Sequence, residues 1–420
     1  MFTVTTIYPQ PTHSIAKPCA PYGQDLCPTY PQFSSPLTIT SNFINHDSYK
    51  SQRDALLKPL QTVTGIVERR HTLPILSNVL VSKDADRISF CSTDIEMQIR
   101  TESNMGSGSE QLSTTVAARK LLDILRALPE QPEITLSYTN KKLNLSQGKS
   151  KFNLQTLPSE EFPTVLAAEQ YPAKVTLSQK ALKQLFHSVH FAMAQQDIRY
   201  YLNGLLLVID QTSLKAVATD GHRLAYSAVT TNDKNVQIQL QGDRQEVIIP
   251  RKAILECQRL LGETDDQVSI ELAPNQARFK FDQIELLSKL IEGKFPDYQR
   301  VIPSNHQKIV AVDREAFYGS LQRAAILTTD KFKGVRLTLS PGCLRVSSTN
   351  AEQEDASEEL EVAYQGDPVD IGFNVQYLLD VLSNLKNKTV QVALHDPNAS
   401  ALITSPDDNE FRYVVMPMRI

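Results

Sequence analysis

Long apolar runs are missing from this chain of 420 residues. No stretch approaches the roughly 20 consecutive apolar residues of a membrane-spanning helix, so we expect no membrane insertion. Hydrophobic residues make up 41% of the chain and charged residues 21%, which is typical of soluble globular proteins. At roughly 100 to 200 residues per domain, the length predicts two to four domains with cores of their own.

Cysteine is scarce, and basic residues are not in excess. The five cysteines are odd in number and form no C-x-x-C pair, which argues against a disulfide framework or a zinc site and favours a reducing compartment. Lys and Arg together number 43, against 47 Asp and Glu. A uniformly basic surface for nucleic acid is therefore excluded, but a local basic surface is not.

Signatures of catalysis are also absent. The sequence contains no G-x-x-x-x-G-K-[ST], G-x-G-x-x-G or G-x-S-x-G motif. Asp220, His222 and Arg223 stand together, but without a nucleophile they favour a structural turn over an acid–base pair. His187 and His190 are three residues apart, yet no H-E-x-x-H pattern or cysteine cluster accompanies them, which favours packing over metal binding. We expect no catalytic residues, no metal and no cofactor.

Residues 1–47 differ in composition from the rest of the chain. They contain seven prolines, many Ser and Thr residues and almost no charge. This composition predicts a disordered arm, and the segment lacks the features of a secretory signal or a mitochondrial presequence. Cys19 and Cys27, which lie in this arm, are expected to be free thiols.

Beyond residue 47 the sequence repeats itself three times. In each repeat an alternating strand ends in Thr followed by Asp or Asn, at Thr93, Thr219 and Thr349, with spacings of 126 and 130 residues. Each repeat then has an amphipathic helix and closes on a strand with a proline-bearing exit. The pattern predicts three similar domains of roughly 125 residues. We place the domains at 48–170, 171–297 and 298–420.

Each repeat also opens with a helix of its own. Ser178 and Asp313 are suited to cap two of these opening helices, and Asp54 the third, which Pro59 should kink or end early. Two helices and several alternating strands per repeat predict an α+β fold, with helices on one side of antiparallel sheets. The six predicted helices span 53–67, 118–128, 179–196, 250–263, 313–326 and 374–388.

These six helices are net positive on a net negative protein. They contain 14 basic and seven acidic residues. A partition of this kind suits a protein with one surface that faces phosphates. Lys and Arg are also good helix formers, so the count by itself supports an ordinary helix composition equally well.

Two polar clusters and the C-terminus have features of binding sites. Arg69, Arg70 and His71 form one cluster and residues 195–201 (QQDIRYY) the other, and both offer donors that can hold phosphate or stack on a base. The C-terminal residues 414–420 (VVMPMRI) are unusually apolar. They fit a Met-rich binding groove and a last core strand equally well.

Long ordered phrases of the sequence resemble one known family, the bacterial sliding clamp, which is the beta subunit of DNA polymerase III. The resemblance covers roughly residues 56–420. The phrases that carry it are LLKPLQTVTG, HTLPILSNVL, STDIEM, QQDIRYYLNGLLL, ATDGHRLAY, IIPRKAI, GKFPDYQRVIP, FKGVRLTLS, NAEQEDASEEL, IGFNVQYLLDVL and YVVMPMRI.

The resemblance implies a head-to-tail homodimeric ring of six similar domains. Helices would line a central hole around duplex DNA, and the sheets would lie outside. Such a ring would act as a processivity factor for the polymerase, without catalytic activity and without reading the base sequence. Under this interpretation the positive charge of the helices has a function, because they face the DNA phosphates.

The resemblance also assigns site residues. DNA contacts fall on Arg70, Arg119, Gln196, Tyr200 and Tyr201. A partner-peptide groove between the second and third domains falls on Leu202, Thr219, Gly221, His222, Arg223, Leu224, Pro296, Arg300, Val301, Asn374, Tyr377, Ser400, Val414, Met416, Pro417, Met418 and Arg419. The dimer interface pairs Lys120, Phe152 and Leu154 with Ile326, Leu327, Glu352, Glu354 and Glu358. Within the groove, Arg223 and Arg419 are expected to anchor polar groups at the rim.

The expected partners of this groove are short peptides. The resemblance implies that they come from the polymerase alpha subunit, the clamp loader, repair polymerases and mismatch-repair proteins, in a bacterial cytoplasm and close to the nucleoid. Asn398 stands near a groove position that is more often apolar, which predicts an altered peptide preference. The family begins with a short strand, for which residues 1–4 and residues 37–40 are both candidates here.

Overall fold

The structure is a computed structural model that describes residues 48–68, 73–104, 111–232, 235–329 and 333–420. The arm at 1–47 lies outside the described residues, and so do both candidate segments for the first strand. Among the described residues no helix is long and apolar enough to cross a membrane. Ser48–Ser51 is the strand that leads into the first helix.

The described chain contains three repeats of helices and strands. The first consists of β1 (Ser48–Ser51), α1 (Arg53–Val63), β2 (Asn78–Asp84), β3 (Arg87–Thr93), β4 (Met97–Asn104), β5 (Leu112–Ala117), α2 (Ala118–Ala127), β6 (Ile134–Thr139), β7 (Lys142–Gln147) and β8 (Ser150–Leu157). The second consists of β9 (Ala173–Ser178), α3 (Gln179–His187), β10 (Gly204–Asp210), β11 (Ser213–Thr219), β12 (Arg223–Thr230), β13 (Gln237–Leu240), β14 (Arg244–Pro250), α4 (Arg251–Leu260), β15 (Gln267–Leu272), β16 (Gln276–Phe281) and β17 (Ile284–Lys289).

The third repeat begins with a one-turn helix, α5. It consists of α5 (Tyr298–Val301), β18 (Lys308–Asp313), α6 (Arg314–Ala325), β19 (Gly334–Ser340), β20 (Cys343–Thr349), β21 (Asp355–Glu361), β22 (Val369–Asn374), α7 (Val375–Asn384), β23 (Thr389–Leu394), β24 (Ala401–Ser405) and β25 (Asp408–Val415). The predicted α+β fold of three similar domains is therefore confirmed.

Two of the three predicted helix caps are present. The Ser178 hydroxyl accepts a hydrogen bond from the backbone N–H of Ala181 at 3.2 Å, and the Asp313 carboxylate accepts one from Ala316 at 2.9 Å. The prediction for Asp54 is wrong: it lies inside the first turn of α1, where it pairs with Arg53. Both real caps satisfy backbone donors that a helix cannot pair by itself.

Pro59 does not end α1, which continues through it to Val63. A proline within a helix removes one hydrogen bond, so packing must hold the helix together. Leu56, Leu60 and Val63 provide that packing, since all three are buried in the core of the first repeat. Burial of an apolar stripe here outweighs the local penalty of the proline.

The helix predicted at 179–196 is much shorter, because α3 ends at His187. Val189 leaves the helical region with φ −128°, and a short turn of 3-10 helix follows. The carbonyl groups of His190 and Met193 then accept hydrogen bonds from the guanidinium of Arg251 in α4, at 3.2 and 3.4 Å. Because a side chain of another element satisfies these acceptors, the chain can turn away from the helix axis.

The strands form three antiparallel sheets among the described residues, and two of these sheets pass from one repeat into the next. The largest has the order β1-β6-β7-β8-β5-β2-β3-β4-β17-β16-β15-β9-β13. The second has the order β14-β10-β11-β12-β25-β24-β23-β18, and the third has β21-β20-β19-β22. The helices pack in pairs against these strands, α1 with α2, α3 with α4 and α6 with α7.

The repeats are joined by strand pairing of one kind. At the first junction β4 pairs with β17, so that Met97 lies opposite Ser288. At the second junction β12 pairs with β25, so that Arg223 lies opposite Val415. In both cases the strand after the Thr–Asp turn of one repeat pairs with the last strand of the next repeat.

Candidate functional site

A cavity of about 210 Å³ lies at the second junction, where β12 pairs with β25. We call it the second-junction groove. Its lining residues are Arg199, Tyr201, Leu202, Thr219, Gly221, Arg223, Leu224, Pro296, Val301, Val414 and Met416. Nine of these were predicted from the sequence, which shows that segments far apart in the chain do come together here.

The floor of the groove is apolar and buried. Leu202, Leu224 and Val414 are buried members of one hydrophobic cluster. Leu224 and Val414 lie directly opposite each other in the β12–β25 pairing, so the strand register itself builds the floor. Met416 follows the end of β25 and is 41% exposed, which places a flexible thioether at the edge of this floor. The C-terminal segment is thus both a core strand, to Val415, and part of a surface groove.

The Thr–Asp turn shapes one wall of the groove. The Thr219 hydroxyl donates to the carbonyl of Arg223 at 2.6 Å, and the Asp220 carboxylate accepts from the backbone N–H of His222 at 2.9 Å. Gly221 has φ +90°, a conformation that glycine adopts without penalty. A Cβ atom at Gly221 would lie only 2.8 Å from the Arg199 guanidinium. Asp220 and His222 therefore form a structural turn, as predicted.

Arg223 lines the groove with its stem, but its guanidinium points into the junction. It binds the carboxylates of Asp220 and Asp380 and donates to the carbonyl of Phe191 at 2.8 Å. Its terminal carbon lies 4.5 Å from the centre of the Tyr377 ring. Of the three hydrogen-bonding partners only Asp380 belongs to the third repeat, so Arg223 also joins the second and third repeats. Its role as an anchor for ligands at the rim stays a prediction.

Arg199 also lines the groove, and the sequence analysis did not assign it there. It pairs with Asp197 at 2.8 Å and donates to the carbonyl of Asp220 at 3.0 Å. The hydrogen bonds from Arg199 lower the pKa of Asp197 to about 2. Tyr201, which was assigned to DNA, also lines the groove. Arg199 directly precedes Tyr200 and Tyr201 directly follows it, and this proximity to a residue predicted to contact DNA is the signal that could have found them.

Eight residues assigned to the groove do not line this cavity: His222, Arg300, Asn374, Tyr377, Ser400, Pro417, Met418 and Arg419. Asn374 caps α7 by accepting from the N–H of Gln376 at 3.0 Å. Met418 donates its N–H to the carbonyl of Gly372 at 2.7 Å, so the C-terminus continues along β22. Asn398, the departure noted in the sequence, is likewise outside the cavity, with its N–H bound to Asp396.

The predicted DNA contacts fall at two places in the described chain, and Arg70 lies outside the described residues. Arg119 is exposed at the start of α2 and donates to the carbonyl of Val67 at 2.9 Å. Gln196 and Tyr200 are exposed on the loop after α3, where Gln196 has φ +55°. The same loop supplies Tyr201 and Leu202 to the groove.

The positive charge of the long helices persists within their observed bounds. The six helices of nine or more residues carry twelve basic and five acidic side chains.

The two histidines considered as metal ligands lie next to each other. The rings of His187 and His190 stack with centroids 5.6 Å apart. Among the described residues no group of three or more His, Cys, Asp or Glu side chains could hold a metal ion.

The residues assigned to the dimer interface lie at opposite ends of the described chain. Phe152 and Leu154 are half-buried on β8, in the first repeat. Ile326 follows α6 in the third repeat and is 77% exposed. Glu358 on β21 pairs with Arg323 at 2.5 Å, which lowers the pKa of the Glu358 carboxyl group. The residues assigned to the dimer interface therefore lie on two different repeats of one copy.

Comparison with known proteins places the whole described chain in one family. Models of the DNA polymerase III beta subunit match its N-terminal domain at residues 48–166, its central domain at 176–297 and its C-terminal domain at 299–419. The chain is 45% identical over 371 residues to the beta sliding clamp of Pseudomonas putida, covering 88% of this chain and 99% of that protein. It is 40% identical over 369 residues to the beta sliding clamp of Escherichia coli, with the same coverage.

Solved structures agree with this assignment. A sliding clamp of Pseudomonas aeruginosa with a ligand matches with a TM-score of 0.85 at 43% identity, covering 89% of this chain and 100% of that one. Another from the same organism, bound to griselimycin, matches with a TM-score of 0.85 at 44% identity, covering 90% and 100%.

Proposed function

The chain belongs to the family of the DNA polymerase III beta subunit, the bacterial sliding clamps, and we propose that two copies of it close into a ring around duplex DNA. As a member of that family it is a non-catalytic processivity factor that binds DNA and the polymerase. The ring, the residues that close it, the DNA contacts and the range of peptide partners are the parts that we propose.

The observation that carries the ring is the repeated junction. The strand after the turn pairs with the last strand of the next repeat at both internal junctions, through β4 with β17 and β12 with β25. One strand of each kind has no such partner within the described chain. The strand after the turn of the third repeat is β21, which lies at the edge of the third sheet. The last strand of the first repeat is β8, which pairs with β5 only at its last two residues. Open strand edges invite pairing, and two such edges on one chain join copies head to tail.

The turn of the third repeat sets where β21 begins its pairing. In the first repeat Thr93 lies opposite Gln98, the second residue of β4. In the third repeat Thr349 lies opposite Asp355. The turn of the third repeat is therefore one residue longer than that of the first, and Asp355 corresponds to Gln98. Gln353, with φ +63°, lies in this longer turn. Glu354 therefore takes the place that Met97 has in the first repeat.

The other strand of the pair can be aligned in the same way. Ser288 on β17 lies three residues before the bridge that joins Ile291 to β14. Leu154 on β8 lies three residues before the corresponding bridge to β5, at Leu157. Since Met97 lies opposite Ser288, we expect Glu354 of one copy to lie opposite Leu154 of a second copy.

Side chains at both surfaces suit this pairing. Ile326 and Leu327 would cover the half-buried Phe152 and Leu154, which removes apolar surface from water. Lys149 precedes β8 and Lys151 lies within it, whereas β21 carries four acidic residues. Opposite charges on the two edges favour head-to-tail association over like-with-like pairing.

Lys120 has a counterpart that already bridges a junction. Lys252, the second residue of α4, binds Glu68 at 2.8 Å and Asp94 at 2.5 Å across the first junction. Lys120 is the third residue of α2, one position further along its helix than Lys252 is along α4. We therefore infer that Lys120 binds the acidic turn at Glu352 of a second copy.

DNA would pass through the hole of this ring. The positively charged helices, with Arg119, Gln196, Tyr200 and Arg70, would contact phosphates loosely and read no bases. Loose contacts allow movement along the duplex, because no single position is deeply favoured. The protein would then hold its partners on DNA by topology, in the cytoplasm and at the nucleoid.

Partner proteins would bind the second-junction groove with short linear peptides. Its apolar floor and its cavity of about 210 Å³ suit one or two apolar side chains of a peptide. The rim cation would be Arg199, and Arg223 would hold the junction in place beneath the peptide. Peptides from the polymerase alpha subunit, the clamp loader, repair polymerases and mismatch-repair proteins would compete for this groove.

Retention on DNA tests the ring. The protein loaded on nicked circular DNA should stay bound at salt concentrations that release simple phosphate-binding proteins. Cutting the circle once should release it, because a ring can slide off an end. Equal retention on circular and linear DNA, measured by gel filtration, would contradict topological binding.

A further inference from the structure

A second and larger cavity, of about 930 Å³, lies at the first junction. We call it the first-junction cavity. Leu166 and Ile95 project into it and are 81% and 37% exposed, which is high for large apolar side chains. Neither residue belongs to the second-junction groove, to the DNA contacts or to the surfaces proposed for ring closure.

The first-junction cavity and the second-junction groove share one apolar cluster. Leu206, Ile248 and Phe295 line the cavity, and they belong to the same buried cluster as the leucines that floor the groove. Phe295 lines the cavity, and the next residue, Pro296, lines the groove. The two sites are therefore neighbours on a continuous apolar base.

Ile95 occupies a strained position that points to a role in this cavity. It is the third residue of the Thr–Asp turn of the first repeat, as Gly221 is in the second repeat. Gly221 has φ +90° and Ile95 has φ +79°. This conformation suits glycine, but it is an outlier for a β-branched residue. Strained backbone conformations of this kind are concentrated at functional sites, and here the strain places the Ile95 side chain in the lining of the cavity.

The charges around the cavity balance. Lys289 and Lys294 stand against Glu246 and Glu292 in its lining, and Lys289 already pairs with Glu96 at 3.6 Å. A site with this balance has no preference for a charged ligand. Recognition would come from apolar burial and would be insensitive to salt.

We propose that the first-junction cavity binds an apolar side chain of the same partner segment that occupies the second-junction groove, a few residues outside the part held in the groove. The occupant is a leucine, isoleucine, methionine or phenylalanine in an extended peptide, which advances about 3.3 Å per residue. This proposal rests on the peptide-binding role proposed for the groove. It gives partners with the same short motif different affinities, according to their flanks.

Peptide binding by fluorescence polarisation tests this proposal. A core peptide of about six residues with a Gln, a Leu and a Phe is compared with peptides extended by about six residues at either end. The flanks carry alternating Leu and Ser, and matched flanks of Ser alone are the control. One of the two Leu-containing extensions should bind about ten times more tightly than its Ser-only match, as burial of one leucine allows.

Two variants locate the gain, and a third is their control. Leu166→Ser removes an exposed side chain and Ile95→Gly relieves the strained backbone, so neither should harm folding. Both should abolish the tenfold gain and leave the core peptide unaffected. Ile309→Ser, at an exposed position on β18, should keep the gain. Raising salt from about 50 to about 300 mM should not change it.

Three results would overturn the proposal. The first is that neither extension improves binding to the native protein. The second is that the gain survives both Leu166→Ser and Ile95→Gly. The third is that the core peptide itself does not bind, in which case the groove assignment is also wrong; the first two results leave that assignment intact.

Discussion

The two internal junctions use the same strand pairing but hold it with different side chains. At the first junction Lys252 bridges Glu68 and Asp94 near the surface, and its side chain is 47% exposed. At the second junction Arg223, with a side chain only 10% exposed, binds Asp220 and Asp380. The strand pairing joins the repeats in both places, and the side chains decide how firmly the junction is held and what site it forms.

The turns at the two junctions differ in the same way. Gly221 leaves room at the second junction for the Arg199 guanidinium, whereas Ile95 fills the corresponding position and projects into the first-junction cavity. A repeated backbone thus supports two different surfaces. Ring closure would be a third use of the same pairing, between two copies, and the predictions below test these three junctions against one another.

The largest effect is expected at the junction between copies. Replacing Ile326 and Leu327 by Ala removes apolar contacts worth about 2 to 5 kcal/mol for each fully buried side chain. The dimer should then dissociate at micromolar concentration, which mass photometry would show as particles near 47.0 kDa in place of twice that mass. The matched variant Ile309→Ala, at an exposed site on β18, should remain dimeric.

Arg223→Ala should cause the next largest loss. It leaves the Asp380 carboxylate without its cation in a partly buried site, at a cost of about 3 to 5 kcal/mol in the free energy of unfolding. Lys252→Ala removes a cation that is far more exposed than Arg223, and Asp94 keeps its hydrogen bonds from two backbone N–H groups. This variant should cost about 1 kcal/mol or less. Urea denaturation of both variants measures the difference, and equal losses would show that the two junctions are held alike.

The stacked histidines at the end of α3 predict a pH dependence. Burial lowers the pKa of His187 and of His190, and Lys386 adds to the effect at His187. A histidine with a lowered pKa binds its proton less readily in the folded state than in the unfolded state. Its contribution to stability is therefore complete above pH 6.5 and declines as the pH falls below that value.

The double variant His187→Gln, His190→Gln should lose part of this dependence. Urea denaturation at pH 7.5, 6.5 and 5.5 should show a smaller decline in the variant than in the native protein. Replacing His395, an exposed histidine of the third repeat, by Gln is the control and should leave the decline unchanged. A decline that is identical in native protein and double variant would rule out this pair as its source.

The smallest effects are expected from the turns. Ile95→Gly relieves a conformation that costs about 1 kcal/mol or more, so the free energy of unfolding should rise slightly. Gly221→Ala should lower it, because the position has φ +90° and the new Cβ atom would crowd the Arg199 guanidinium. Changes of the same sign in these two variants, measured by thermal unfolding, would contradict the comparison of the turns.

Local patterns predicted much of this molecule. The threefold repeat, the caps at Ser178 and Asp313 and the turn at Asp220 follow from spacing and side-chain chemistry within a few residues. The resemblance to known clamps supplied most of the groove. These features are readable because neighbours in the sequence determine them.

The features that sequence analysis missed depend on residues far away. The end of α3 at His187 depends on Arg251, and the direction of the Arg223 guanidinium depends on Asp380, which is 157 residues further along the chain. The role of Ile95 appears only when the turns of two repeats are compared in three dimensions. Periodicity and capping contain no information about such contacts.

The register across the open edges is the most direct test of the ring. Glu354→Cys and Leu154→Cys, combined in one chain, would place two thiols opposite each other in an antiparallel pair between copies, at a Cα distance that a disulfide can span. Mild oxidation should convert the double variant into a covalent dimer near twice 47.0 kDa on denaturing gels, while each single variant stays monomeric there. No cross-link in the double variant, or equal cross-linking when Gln155→Cys replaces Leu154→Cys, would contradict the pairing of β21 with β8.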